Sequence, residues 1–268
     1  MFFAMTSAFS SLRQAALDAL AEPDPCKKIT AVNQLASTLP VCAHADIQPT
    51  RPLPGRPARP QLVDPRKVAL RSAHSPEGKA ALIHSIAHIE FNAINLALDI
   101  IWRFTGMPDD FYRDWLQVAR EEAYHFSLVR GHLAASGYQY GDFAAHNGLW
   151  DMAEKTRDNL LARLALVPRT LEARGLDVSP AIQKRLRDAG DRKGVDILNI
   201  ILRDEIGHVQ IGNRWYLYCC ERDQRDPVAT YAGLMDAYGV ARPRGPFNVQ
   251  ARMAAGFTQA DIDWLNSL

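Results

Sequence analysis

Two Glu-x-x-His pairs, Glu122/His125 and Glu205/His208, each stand in the middle of an apolar helical stripe. One stripe reads Trp115, Val118, Glu122, His125, Val129, Leu133, and the other Leu198, Ile201, Glu205, His208, Gly212, Trp215. A third, with the same spacing of three and four, reads Ile83, Ile86, Glu90, Ala93, Ala97, Ile101. Apolar residues at that period form the face a helix turns toward its core. A carboxylate placed there without a partner costs on the order of several kcal/mol, so it needs a cation or a proton. Residues three apart on a helix project to one side, so Glu and His can reach a single ion together. Nine Glu and eight His in 268 residues would form such pairs only about 0.3 times by chance.

The spacing repeats. Glu122 to Glu205 and His125 to His208 are each 83 residues, and Glu90 to Glu172 is 82. Within the halves, Glu90 to Glu122 is 32 and Glu172 to Glu205 is 33. The pattern is two helical hairpins, each supplying one Glu and then Glu-x-x-His, the ligand set of a di-metal carboxylate bundle. For the third helix Glu154 competes with Glu172. With a turn near Gly190, only Glu172 lies level with Glu205, and Glu154 falls a further eighteen residues away. The candidate metal residues are therefore Glu90, Glu122, His125, Glu172, Glu205 and His208. Carboxylate and imidazole without thiolate suit iron or manganese, as two Fe ions, two Mn or a mixed pair.

The rest of the chain is consistent with an all-α fold: a four-helix bundle with an N-terminal helical extension and a proline-rich strap. Short helices are expected at residues 11–21 and 27–39, parted by Glu22-Pro23-Asp24-Pro25. Pro49, Pro52, Pro54, Pro57, Pro60, Pro65 and Pro76 exclude regular helix across the next stretch. It also carries Arg51, Arg56, Arg59, Arg66, Lys67 and Arg71. An extended strap over the bundle is the expected reading, and a contact with RNA or a protein the competing one. Ser75-Pro76-Glu77 starts the first long helix, which runs to about Phe104. The second spans Asp109 to about Ser136, the third Asn147 to at least Arg174, and the fourth Asp191 to about Arg222. An irregularity is expected between Gly175 and Pro180, with Pro168 removing a hydrogen bond just before Glu172. A last short helix is expected from Gln259 to Leu268. In domain terms these are 1–74, the bundle at 75–226, and a C-terminal extension at 227–268.

A net charge of +1 gives no bulk attraction for nucleic acid or an anionic membrane. The four cysteines have neither zinc nor redox spacing, and Cys219-Cys220 is expected to fill a helix side. No apolar run reaches about 18 residues, and Met1-Phe2-Phe3-Ala4-Met5 is too short for a signal-peptide core, so a cytoplasmic location is expected. Glu121 and Asp204, each just before a ligand Glu, either orient a ligand histidine or lie solvated at a helix flank. His84 and His88 sit about 120° and 160° from the Glu90 face, which argues against ligation. His44, His74, His132 and His146 are expected at the surface or in loops. Tyr124 and Tyr216 are expected to be packing residues.

At these residues the chain resembles the ferritin-like superfamily, and more closely the uncharacterised family known as domain of unknown function 455. The resemblance lies in His88-Ile89-Glu90, Arg120-Glu121-Glu122-Ala123-Tyr124-His125-Phe126, Glu172-Ala173-Arg174-Gly175-Leu176-Asp177 and Arg203-Asp204-Glu205-Ile206-Gly207-His208. A looser match covers Pro246-Phe247-Asn248, Ala251-Arg252 and Ala255-Gly256-Phe257. It implies the same six ligands, with Glu172 on the third helix. Asp204 fits a familiar superfamily pattern of Asp before the ligand Glu, and Glu121 departs from it. Superfamily members include oxygenases, tRNA-modifying hydroxylases, ribonucleotide reductase small subunits and iron-storage ferritins. The expected function is a di-iron oxidase or oxygenase that uses O2, an external reductant and an unidentified substrate. The alternatives are iron handling and a metal-free interaction module. A tRNA partner would need the basic segment 51–71. Oligomeric state is left open.

Overall fold

Proline, cap and glycine positions divide the chain into eleven α-helices among the described residues, 11–69 and 71–267 of a computed structural model. The N-terminal pentapeptide and Leu268 lie outside them. The helices α1 (Leu12–Leu20) and α2 (Pro25–Gln34) precede an extended stretch with one 3-10 turn, Pro65–Lys67. Then come α3 (Pro76–Arg103), α4 (Asp109–Ala135), α5 (Gly148–Lys155), α6 (Leu160–Leu166), a π-helical turn Val167–Glu172, and α7 (Ala173–Asp188). The chain closes with α8 (Arg192–Arg222), α9 (Pro227–Ala237), α10 (Val249–Ala254) and α11 (Gln259–Asn266).

The ends are set chemically. Ser75 Oγ accepts the Gly78 N–H at 3.0 Å with Pro76 in the first turn, and Asp191 accepts the Gly194 N–H at 2.9 Å. Gly190, at φ +71°, makes the left-handed turn between α7 and α8. The hairpin α3–α4 and the hairpin α7–α8 form the bundle, with α4 against α8. Helix α1 lies on α3 and α2 on α4. Among the described helices only α3 is long and apolar enough to cross a membrane, yet 78% of its apolar window is buried inside the protein. It is a core helix.

The third arm differs from expectation. Instead of one helix from Asn147, the chain breaks between α5 and α6. Asn159 caps α6 by accepting the Ala162 N–H at 3.0 Å, which starts a new helix. The fully buried Arg163 donates to the α5 carbonyl of Ala153, to Thr156 Oγ1 and to Asp99 on α3. The irregularity near Glu172 is at 167–172, not at Gly175–Pro180. Pro168 has no N–H to close an α-helical bond and its ring crowds the preceding turn, so the chain widens into a π turn there. Pro180 is absorbed inside α7, because Asn248 Nδ2 donates to the Leu176 carbonyl that Pro180 cannot serve.

The proline-rich segment is a strap, as expected. Gly55 donates its N–H to the Leu20 carbonyl at 2.8 Å, and the segment pairs with the α4–α5 loop through one bridge, Leu62 to Ala145.

Candidate metal centre

The bundle's centre gathers the six candidates. Glu90 comes from α3, Glu122 and His125 from α4, Glu172 from the end of the π turn, and Glu205 and His208 from α8. Two groups are tight enough for one ion each: Glu90, Glu122 and His125, and Glu122, Glu205 and His208. Glu122 belongs to both. Its Oε1 lies 2.9 Å from His208 Nδ1 and its Oε2 3.5 Å from His125 Nδ1. Glu90 Oε2 is 3.4 Å from His125 Nδ1, and Glu205 Oε1 is 3.8 Å from His208 Nδ1. Glu172 stands outside both groups, although the charges of Glu205, Glu122 and Glu90 all act on its carboxyl. Glu154 is exposed at the far end of the arm, 4.0 Å from Arg103 and Arg157.

Each of the six leaves one buried polar atom without a hydrogen-bond partner: Oε2 of Glu90, Glu122, Glu172 and Glu205, and Nδ1 of His125 and His208. Buried polar groups are rarely orphaned, and each orphan costs about 1–3 kcal/mol. Six in one place form a buried polar centre that a cation would satisfy. The donor set, four carboxylates and two imidazoles, balances two divalent ions, so the residues fit a di-metal pair.

The other imidazole nitrogens are held crosswise. His125 Nε2 lies 3.0 Å from Asp204 Oδ2, and His208 Nε2 lies 2.7 Å from Glu121 Oε2. Each helix thus orients the histidine of the other with the acid before its own Glu. An acid on Nε2 fixes the proton there and leaves Nδ1 as the ligand atom. Glu121, which departs from the familiar pattern, does the same work as Asp204.

The titrations follow from crowding. Burial, then the neighbouring Glu122, raises Glu90 well above the usual carboxylate range. Burial followed by Glu205 and Glu122 does the same to Glu172, and burial raises Glu205. Burial opposes ionisation of Glu122 too, but His208 and His125 beside it hold it well below that range. Burial disfavours the charged form of His125, yet the Glu122 and Glu90 carboxylates facing its Nδ1 push it up to about 11. His208 is raised in the same way, chiefly by Glu122 against burial. Protons stand where positive charge is needed.

The remaining candidates sort cleanly. His84 and His88 are buried but face away from the centre: His84 Nε2 accepts the Gly141 N–H, and His88 bonds Tyr140 and the His146 carbonyl. His44, His74 and His146 are exposed. His132, expected at the surface, is largely buried and 2.9 Å from Asp191. Cys219 and Cys220 are buried free thiols on α8, and Tyr124 is half exposed.

Sequence reasoning did not find the residues that clamp the third arm. Arg169, in the π turn, is fully buried; it donates to Asn213 of α8 and pairs with Asp261 of α11. Its guanidinium also lies over Tyr216, Tyr231 and Phe257. Asp177 of α7 receives both arms of Arg252 at 2.7 and 3.0 Å. The available signal was the charge inside an apolar run, as at Arg163 in Leu160-Leu161-Ala162-Arg163-Leu164-Ala165-Leu166.

Fold and site together define a ferritin-like helical bundle carrying a di-metal carboxylate motif. The family described as "Protein of unknown function (DUF455)" matches residues 21–263, and the chain belongs to it. It is 44% identical over 275 residues to an uncharacterised protein of Haemophilus influenzae, covering 97% of this chain and 96% of that one. No solved structure gives a significant match.

Proposed function

We propose that the six residues hold two iron ions and that the protein is an oxidase or oxygenase acting on dioxygen, with an external reductant and an organic substrate. The observation that supports this reading is the set of six orphaned buried ligand atoms, with both histidines oriented from behind by acids. Bound iron would supply the electrons for reducing dioxygen. The chain's own part is positional. Asp204 and Glu121 keep the Nε2 protons, so Nδ1 of His125 and His208 faces inward as a neutral donor. Glu122, placed between both histidines, is the residue suited to touch both ions. Glu172 has no ion-pair partner among the described residues, which makes it the carboxylate freest to change position.

Protein purified from iron-supplemented cells should contain about two iron ions per chain. His125→Ala/His208→Ala should lose most of the metal while His84→Ala retains it; full occupancy of the double variant would refute the ligand assignment. Chemically reduced protein mixed with oxygen should oxidise stoichiometrically and turn over further only with added reductant. Growth of a mineral core on excess ferrous iron would instead make iron itself the substrate.

A further inference from the structure

Beneath the strap, away from the metal centre, lies a small cavity of about 30 Å³ bounded by Arg56, Pro57, Pro60, Leu62, His88, Phe91, Asn92 and Tyr140. That volume holds about two waters, or one anion of two or three heavy atoms. Its lining contains one cation, Arg56, and no carboxylate.

Arg56 is the group that needs a partner. Its Nη2 is buried and has no hydrogen bond, and its guanidinium lies 5.8 Å from the Trp150 ring. Lys28 is a second buried amine nearby, its pKa lowered by burial to about 7 with Glu22 opposing. It is fully buried, lies 5.7 Å from the Phe91 ring that forms the cavity wall, and donates only to the Ala19 and Leu20 carbonyls. The neutral groups around the cavity are already committed. His88 Nε2 faces the His146 carbonyl at 3.0 Å and so carries the proton, which leaves Nδ1 to accept from Tyr140 Oη at 2.9 Å. Asn92 Nδ2 donates to the His88 carbonyl at 2.8 Å. Asp151 and Glu154 lie close enough for their charge to act on the guanidinium, but neither hydrogen-bonds to Nη2, and keeping an arginine nitrogen from water without an acceptor is costly.

We propose that this cavity is a binding site for a small monovalent anion, of formate or chloride size, held by Arg56 and closed over by the strap. Arg56 contributes the charge and the buried Nη2 donor. Sulfate and phosphate exceed the space. The bound anion would tie Arg56 of the strap to the stretch of α3 that carries Asn92, pinning the strap to the bundle. This site does not depend on the metal reading.

The test is thermal unfolding of the full chain at constant ionic strength in sodium formate, chloride or sulfate. A saturable rise in Tm is expected with formate or chloride and not with sulfate. Arg56→Gln should raise the apparent Kd for that anion at least tenfold. A response to chloride alone identifies a halide site, and a response to formate a carboxylate site. Because Arg56→Gln can fold poorly, line broadening of 13C-formate and 35Cl resonances by the wild-type chain provides an independent reading. No anion-specific stabilisation and no broadening by either nucleus, or equal affinity in a folded Arg56→Gln, would overturn the proposal.

Discussion

Asp204 and Glu121 sit within reach of solvent, yet they decide which nitrogen of each buried histidine faces inward. Asp204 is held low in pKa: burial works against it, but hydrogen bonds from Arg203 and His125 prevail. Glu121 is likewise held low by its hydrogen bond from His208. Both are therefore carboxylates at neutral pH. Asp204→Asn or Glu121→Gln preserves shape but can present an amide donor to the imidazole and favour the other tautomer. Ferrous-iron affinity should fall about 10- to 100-fold in each, with unfolding in the metal-free state little changed. Titration of the apo protein with ferrous iron under nitrogen checks this; unchanged affinity would reduce both acids to surface charges. The ligands themselves were legible because they break an apolar period. Their orienting acids were legible only as one of two readings, because Asp204 and Glu121 occupy helix flanks where charge is ordinary and the partner helix decides its purpose.

At the scale of elements, α3, α4 and α8 follow from periodicity and caps, but the third arm does not. A π turn inserts backbone without changing composition, so spacing alone could locate Glu172 but not the turn that carries it. The fit of that turn depends on Gly212. A β-carbon there would stand 2.5 Å from Pro168 Cβ and 2.8 Å from Cγ, atoms of a rigid ring that cannot rotate away. Gly212→Ala should push the π turn off α8, costing about 1–3 kcal/mol in urea unfolding and lowering metal content. Wild-type stability and metal content in that variant would show that the turn has slack. A second element-scale effect is pH. Burial pushes His84 down to about 4, with Asp142 opposing, and Tyr140 and His88 are its other titratable neighbours. Its ring nitrogen accepts the Gly141 N–H, a bond that needs the neutral form near Nε2. The folded pKa lies below the unfolded value of about 6.5, so the unfolded chain binds the extra proton first. The stabilisation is full above about pH 6.5 and is lost as pH falls toward 4. Urea unfolding from pH 7.5 to 4.5 should show a shallower acid loss for His84→Gln than for wild type; parallel curves would remove His84 from the account.

For the whole molecule, the C-terminal segment is part of the site's scaffold. Helices α10 and α11 touch the third arm at two charged points, Arg252 with Asp177 and Asp261 with Arg169. Asn248 adds its N–H to Asp177 at 2.9 Å and its amide to the Leu176 carbonyl. These contacts bracket Glu172 from both sides, three residues before it at Arg169 and five after it at Asp177. The looser resemblance near Asn248 and Arg252 therefore falls on residues that hold the Glu172 arm, a purpose invisible until the chain is folded. Arg252 is 1% exposed and lies over both Phe247 and Phe257, so removing its partner strands a buried charge. Arg252→Met should cost about 3–5 kcal/mol because Asp177 is left largely buried without its cation. Adding Asp177→Leu should recover much of that loss, since an apolar pair of similar volume replaces the ion pair. Metal binding separates stability from positioning. If the clasp sets the place of Glu172, the Asp177→Leu/Arg252→Met chain stays folded by circular dichroism yet binds ferrous iron more weakly than wild type. Wild-type affinity in that double variant would confine the C-terminal segment to holding the fold together.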